Sequence, residues 1–210
     1  MSASYNLEVD REQVKEALSL FEFVGGNTAD ALRIAINKTT PKVRTASSSA
    51  IRTQVRLSAS YVRDNLTIKK ATRASLDGRI TTPSRGIMLS RFSTDSTISG
   101  EKVSWFKAPL TPKNGIFVNV KAGGVRKKVV GKHGGNIFYT LLNNRQTVAI
   151  AESIPGTKKI DVLHGPSLSQ VFNTVRADVM PMARAEYQAQ VIDAMRYILR
   201  KQNPPPEISP

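Results

Sequence analysis

Few side chains in this sequence are of the types that catalyse reactions. There is no cysteine, and His133 and His164 are the two histidines. Asp161 and His164 are close enough in the chain to share a turn, but the residues around Ser167 do not resemble a serine nucleophile with an oxyanion loop. We expect His164 to hydrogen-bond to the backbone rather than to act as a general base. No catalytic residue is therefore predicted.

Phosphate-binding and metal-binding patterns are equally weak. The segment Gly123–Lys128 has glycines before basic residues, but it lacks the Gly-Lys-Ser/Thr ending of a P-loop and a helix directly after it. Between residues 31 and 132 the carboxylates are Asp64, Asp77, Asp95 and Glu101, which is too sparse a set for a metal-dependent nuclease. We therefore predict a protein that is not an enzyme, with no cofactor and no metal.

The net charge of the chain is +15 and is unevenly distributed. Residues 1–30 carry two basic and six acidic side chains, net −4, whereas residues 31–132 carry 21 basic and four acidic ones, net +17. Residues 133–210 add only +2. Solubility alone is one explanation for such an excess. The concentration in the middle of the chain favours another, exposure to a polyanion or to an acidic protein surface.

Two segments concentrate the basic residues. One is the polar face of a predicted helix, and the other is a glycine-rich stretch, Ala122–Gly135, that we predict to be a flexible arm or a hairpin tip that orders on a partner. Because the aromatic pairs Trp105-Phe106 and Phe138-Tyr139 are typical of cores or subunit contacts, any DNA contact is expected to involve phosphates rather than bases. The predicted contacts with DNA or an acidic partner are Lys42, Arg44, Arg52, Arg56, Arg126, Lys127, Lys128 and Lys132.

Helical patterns surround these residues. A first, acidic helix is predicted from Val9 to Val24, ended by Gly25-Gly26, and a second from the Asn27-Thr28 cap to Val55. Pro41 is expected to kink the second helix or split it in two. Ser58 is the predicted cap of a short helix that ends at Arg63. Ser167 is the predicted cap of a long C-terminal helix. Its apolar stripe is Val171, Phe172, Val175, Val179, Met182, Ala183, Val191, Ile192, Met195, Ile198 and Leu199.

Between the helices the apolar period changes to two, which is typical of strands. The predicted strands lie in Leu66–Lys70, Ser75–Thr82, Gly115–Lys121, Asn136–Leu141, Thr147–Glu152 and Lys159–Leu163. Thr82–Leu110 is expected to be irregular, and Gly165-Pro166 to form a corner. The predicted fold class is α+β, a single mostly antiparallel sheet packed against a long kinked N-terminal helix and a long C-terminal helix, with extended arms. The predicted domains are the acidic helix at 1–27, an α+β domain at 28–201, and a proline-rich extension at 202–210.

Four stretches in the order seen here resemble a known family. They are the basic run Ala31–Thr45, the run Val62–Ala71, the Gly-Arg-Ile strand at Gly78–Ile80, and the closing run Lys159–Phe172. Together they resemble the minor tail protein Z family of tailed bacteriophages and prophages, also called tail completion proteins. The likeness extends over roughly residues 29–200 and leaves out the acidic first helix and the proline-rich tail.

The resemblance implies a virion structural protein at the head-proximal end of a phage tail, needed for the joining of head and tail. It implies an α+β fold related to other head–tail connector components and supplies no catalytic residues. The implied partners are tail tube, terminator or connector proteins and further copies of the chain in a ring. Genomic DNA is a non-specific contact, and no membrane is implied. We accordingly expect a soluble protein that is made in the host cytoplasm and located in the virion. The alternative is a sequence-independent DNA-binding protein.

Overall fold

The computed structural model describes the backbone of Ser4–Asn6 and residues 27–93, 111–142 and 147–202. The predicted helix Val9–Val24, the pair Trp105-Phe106 and the residues after Gln202 lie outside these ranges. The described residues form three helices and ten short strands, all paired antiparallel. The predicted α+β class is confirmed.

The first helix, α1, extends over Thr28–Gln54 without interruption. Pro41 was predicted to kink this helix or to split it in two, and the second of these alternatives is wrong. Proline removes one backbone hydrogen bond, but the apolar face of α1 is buried on both sides of it, at Ala35 and Ile51 for example. Asn27 occupies the N-cap position as predicted, although its side chain makes no capping hydrogen bond.

The second helix, α2, is short and spans Ala59–Asp64. Its predicted cap is confirmed, because the Ser58 hydroxyl accepts a hydrogen bond from the Tyr61 N–H at 3.3 Å. The guanidinium of Arg91 lies over the Tyr61 ring, 4.3 Å from its centre, and attaches α2 to the segment after the fourth strand.

The third helix, α3, spans Leu168–Gln202 and begins at a reciprocal cap. The Ser167 hydroxyl accepts from the Gln170 N–H at 3.1 Å, and the Gln170 side-chain oxygen accepts from the Ser167 N–H at 2.9 Å. This is a capping box, in which two backbone donors that the helix leaves unpaired are both satisfied. The predicted role of Ser167 is confirmed.

The strands are distributed over four small sheets, so the prediction of a single sheet is wrong. The first sheet has the order β1-β3-β2 and the last the order β7-β8-β9, while β4 pairs with β10 and β5 with β6. A 3-10 helix, Leu89–Phe92, follows β4. The strand bounds are Ser4–Asn6 (β1), Thr67–Lys69 (β2), Arg79–Thr81 (β3), Gly86–Met88 (β4), Phe117–Val118 (β5), Lys127–Lys128 (β6), Ile137–Leu141 (β7), Val148–Ser153 (β8), Ile160–Val162 (β9) and His164–Ser167 (β10).

Leu163 connects two of these sheets. Its N–H donates to the Ile150 carbonyl on β8 at 2.9 Å, and its carbonyl accepts from the Leu89 N–H beside β4 at 3.0 Å. The chain therefore continues from β9 into β10 in extended form. Gly165-Pro166 lies within β10, where the register shifts, and does not form the predicted corner. The irregularity that glycine and proline impose is absorbed as a bulge.

Helices α1 and α3 pack antiparallel over the length of α1. Near the start of α1, Ala31 and Ala35 share a cluster with Tyr187 and Ile198 of α3. Farther along, Val43 belongs to the main core with Val175 and Val179 of α3 and with residues of the sheets. Within the described residues, neither long helix is sufficiently apolar to span a lipid bilayer.

The apolar stripe predicted on α3 divides between two faces. Phe172 and Val191 are buried as expected. Met182, Ile192 and Leu199 instead retain 38%, 45% and 38% of their accessible surface. Helical spacing placed these apolar residues on one predicted stripe. It did not distinguish the face of α3 that α1 covers from the face that α1 leaves exposed.

Replacing Ser167 with alanine removes the cap of α3. We expect Ser167→Ala to lower the free energy of unfolding by about 1 kcal/mol, because one amide of the first turn loses its partner. Denaturant titration followed by circular dichroism measures the loss. The matched control is Ser49→Ala at an exposed position within α1, where alanine is the better helix former. Equal stability of the two variants would contradict the role of the cap.

Candidate functional site

The end of α1 is joined through the backbone to the segment that leads to Arg126, Lys127 and Lys128. The Arg56 N–H donates to the Val120 carbonyl at 2.9 Å, and the Ala122 N–H donates to the Gln54 carbonyl at 3.2 Å. Val55 and Lys121 form a β-bridge between these contacts. The segment from 120 to 122 is thus fixed against the last turn of the helix.

The same segment forms a two-stranded hairpin. Strand β5 pairs with β6, Phe117 opposite Lys128 and Val118 opposite Lys127. The hairpin turns at Gly123, whose φ is +66°, a conformation that favours glycine. On the other side of β5, Ser93 forms a bridge with Val118. Of the two alternatives predicted for Ala122–Gly135, the hairpin agrees with the β5–β6 pairing. The flexible arm is wrong, because local pairing and the end of α1 hold this segment in place.

Five of the predicted contact residues gather at this end of α1. All are exposed, and Arg126 also stacks on Phe117 with its guanidinium 5.3 Å from the ring centre. The five residues, here called the basic end, are Arg52, Arg56, Arg126, Lys127 and Lys128. Lys121 is also exposed in this hairpin. It was not among the predicted contact residues, although it is the last residue of the predicted strand Gly115–Lys121.

Lys42 and Arg44 do not belong to this group. The Lys42 ammonium pairs with the Glu186 carboxylate on α3, and Arg44 Nη2 donates to the Arg63 carbonyl of α2 at 3.1 Å. The hydrogen bond from Lys42, with another from Gln190, holds the pKa of Glu186 below its ordinary value. In this structure both cations connect helices, a role different from the predicted partner contact.

Lys132 lies in a loop that encloses a buried carboxylate. Glu152 on β8 has no accessible surface. Its two oxygens accept three backbone hydrogen bonds, from Lys132 at 2.7 Å, His133 at 2.8 Å and Gly135 at 3.0 Å. The side chain of Lys132 itself is exposed. The loop therefore binds an anion that belongs to the chain.

Two glycines make this enclosure possible. A Cβ atom at Gly131 would lie 2.1 Å from the Glu152 carboxyl carbon, and one at Gly135 would lie 1.8 Å from the Ser153 carbonyl oxygen. Neither position has room for a side chain, because the loop backbone contacts β8 directly. The glycines that suggested flexibility in the sequence are required here by close packing.

Burial and hydrogen bonding act in opposite directions on Glu152. Burial raises the pKa of the carboxyl, whereas the N–H groups of Gly135, His133 and Lys132 lower it, and the net pKa lies below the ordinary value. The His133 ring approaches the same region, with Nε2 3.4 Å from Asp161 Oδ2, and both side chains are 39% exposed. The Glu152 carboxylate therefore holds the loop against β8 through the three backbone N–H groups that donate to it.

Among the residues that the structure describes, no three histidine, aspartate or glutamate side chains come together as a metal site requires. No protein-family model, curated protein or solved structure matches the chain. What the chain does must therefore be inferred from its own residues and their placement, and the basic end is the candidate functional surface.

Glu152 predicts a specific acid dependence of stability. Because its pKa is lowered in the folded state, its contribution is complete above the unfolded value of about 4.3 and is lost as the pH falls through the folded value. We expect Glu152→Gln to be less stable than the wild type at pH 7 and to lose less further stability on acidification. Thermal unfolding at a series of pH values measures both effects.

The control for this experiment is Asp178→Asn, which removes the same charge from an exposed position on α3. We expect its stability to follow the wild-type curve in parallel. A Glu152→Gln curve that also ran parallel to the wild type would show that the buried carboxylate contributes nothing to the acid transition.

Proposed function

We propose that the chain is a non-enzymatic structural protein of a tailed bacteriophage that completes the head-proximal end of the tail. In this role it supports the joining of head and tail as a ring of subunits. The observation that carries the proposal is that the four stretches with the resemblance to tail completion proteins contribute to one core.

Each stretch supplies buried residues to the same cluster. Val43 comes from the first, Val62 from the second, Ile80 from the third, and Leu163 and Phe172 from the fourth. Stretches that are far apart in the chain are thus parts of one packing unit. A resemblance that concerns a whole fold requires this arrangement, and the shared core therefore supports the proposal.

Contacts between the stretches also account for residues within them. A Cβ atom at Gly78, in the Gly-Arg-Ile strand, would lie 2.5 Å from Ile36 Cγ2 on α1. The Asn37 side chain donates to the Ala71 carbonyl at 3.0 Å and accepts from the Ala71 N–H at 2.8 Å. The glycine and the asparagine are thus needed to seat the second and third stretches on the first.

The basic end gives the proposed subunit a surface for acidic partners. Arg52 and Arg56 are exposed at the end of α1, and the other three cations are exposed on the hairpin that this end of the helix holds in place. Copies in a ring would repeat this surface around an axis and produce a strong positive field towards DNA or an acidic neighbour. Under this proposal the partners are tail tube, terminator or connector proteins, and the protein is located in the tail or neck of the virion.

Electron microscopy tests the proposal. We expect negative-stain images of the chain mixed with tail tubes of the same phage to show an added ring at one end of each tube, because a completion protein recognises the last tube layer. Tubes alone are the control. Tubes that remain unchanged at high concentrations of the chain, with no ring in any sample, would contradict the proposal.

A second candidate is a sequence-independent DNA-binding protein, and the observation that favours it is the basic end itself. Five exposed cations from two elements lie at one end of the fold. Cations of this kind contact phosphates without distinguishing bases. This candidate requires neither a ring nor any other phage protein.

The salt dependence of DNA binding tests this second candidate. Replacing Arg126, Lys127 and Lys128 together with alanine should weaken binding and reduce the slope of log affinity against log salt by about 2 to 3, because each phosphate contact contributes about 0.9. Fluorescence anisotropy with a labelled duplex measures the slope. The matched control removes Arg184, Arg200 and Lys201, three exposed cations of α3 towards the other end of α1. Equal effects of the two triple variants would show that net charge, and not the basic end, determines binding.

A further inference from the structure

The exposed face of α3 carries a mainly apolar seam that the described residues leave uncovered. Its positions follow the spacing 3-4-3-4-3 without interruption, and every one of them is exposed. The seam consists of Met182, Ala185, Ala189, Ile192, Arg196 and Leu199. This is the spacing of the a and d positions of a coiled coil, in which one helix packs against another of similar length.

The seam is separate from the face that α3 buries in its own domain. Tyr187, Val191, Ala194 and Ile198 alternate with the seam positions and pack against the start of α1. The opposite side of the helix therefore presents a second apolar surface about 26 Å long, by the rise of 1.5 Å per residue. An apolar stripe of this length is typical of a helix that pairs with another helix.

We propose that the seam pairs with the same seam of a second copy of this chain, antiparallel, so that the free protein forms a two-fold dimer. The inference does not rest on the proposed tail function, because it uses only the residues of α3 and their exposure. A two-fold contact closes at two copies and adds no third.

Charge selects the antiparallel direction. In a parallel pair in register, Arg196 would face Arg196 of the second copy, and two like charges would lie together at the interface. In the antiparallel pair centred on the seam, Arg196 of one copy packs against Ala185 of the other and lies beside Glu186. That carboxylate is already ionised through its pair with Lys42 and retains 23% side-chain exposure, so it can accept a second cation.

Side-chain size selects the same arrangement. Ala189 lies opposite Ile192, and Ala185 opposite Arg196, so that a small residue receives a large one in each of the four inner layers. Met182 and Leu199 close the two ends. The parallel pair would instead place alanine on alanine in two layers and isoleucine on isoleucine in another, which packs unevenly.

Sedimentation velocity of the full chain tests the pairing. We expect a monomer–dimer equilibrium that shifts towards dimer from low to high micromolar concentration. Ile192→Glu and Leu199→Glu should each raise the dissociation constant about tenfold or more, because each replaces a large apolar contact of the seam with a carboxylate that must lose its water on pairing. Both positions are exposed, so circular dichroism should show unchanged helix content.

The matched control is Tyr197→Glu. This residue is 59% exposed on the same helix and lies outside the seam, so its replacement should leave the dissociation constant unchanged. A chain that is monomeric at every concentration overturns the proposal, as does a dimer that Ile192→Glu and Leu199→Glu leave intact.

Cross-linking determines the direction of the pair, because the chain has no cysteine of its own. Met182→Cys protein mixed with Leu199→Cys protein should give a cross-linked dimer with a short bismaleimide, and neither variant should cross-link alone. The two positions are about 26 Å apart along one helix, so a parallel pair would give the opposite result. Cross-links within each single variant, with none between the two, overturn the antiparallel arrangement.

Discussion

The burial of α1 against α3 is the contact on which the other elements depend. Each helix has an apolar face that cannot be stable in water alone, and the small residues Ala31, Ala35 and Ala183 are completely buried where the two faces meet. The strands are too short to form independent sheets, since two-stranded and three-stranded units of this size need an apolar surface to cover them. The core between the helices and the strands provides that surface. It is one cluster that includes Val43 of α1 and Phe172 of α3.

The elements with strong local signals could be predicted from the sequence. Ser58 and Ser167 are caps because a short hydroxyl side chain satisfies an amide of the following turn, and this requires only neighbouring residues. The α+β class followed from the change of apolar period after Leu66. Strands β4 and β6 could not be found in this way. Gly86–Met88 is defined by its partner His164–Ser167, far away in the chain, and Lys127–Lys128 has no apolar residue to indicate an alternation.

The candidate site was predicted in part, for similar reasons. The sequence identifies basic residues, but tertiary contacts decide which of them already have an acidic partner: Lys42 is exposed and pairs with Glu186, whereas Arg56 and Lys127 are exposed at the basic end. The glycines of the segment up to Gly135 suggested mobility because a glycine that allows motion and a glycine that allows close packing look alike in a sequence. Glu152 gave no signal of its own, since a carboxylate at the end of a strand pattern is normally expected to face solvent.

The backbone hydrogen bonds of Leu163 have a mechanical consequence. Its N–H donates to β8 and its carbonyl accepts from the segment after β4, and α3 begins five residues later. The β7-β8-β9 sheet, the β4–β10 pair and α3 are therefore linked in series by one short stretch of chain with no loop between them. We expect a displacement of the β7-β8-β9 sheet to reach the start of α3 over a few residues, because β10 ends at Ser167, the residue that caps the helix.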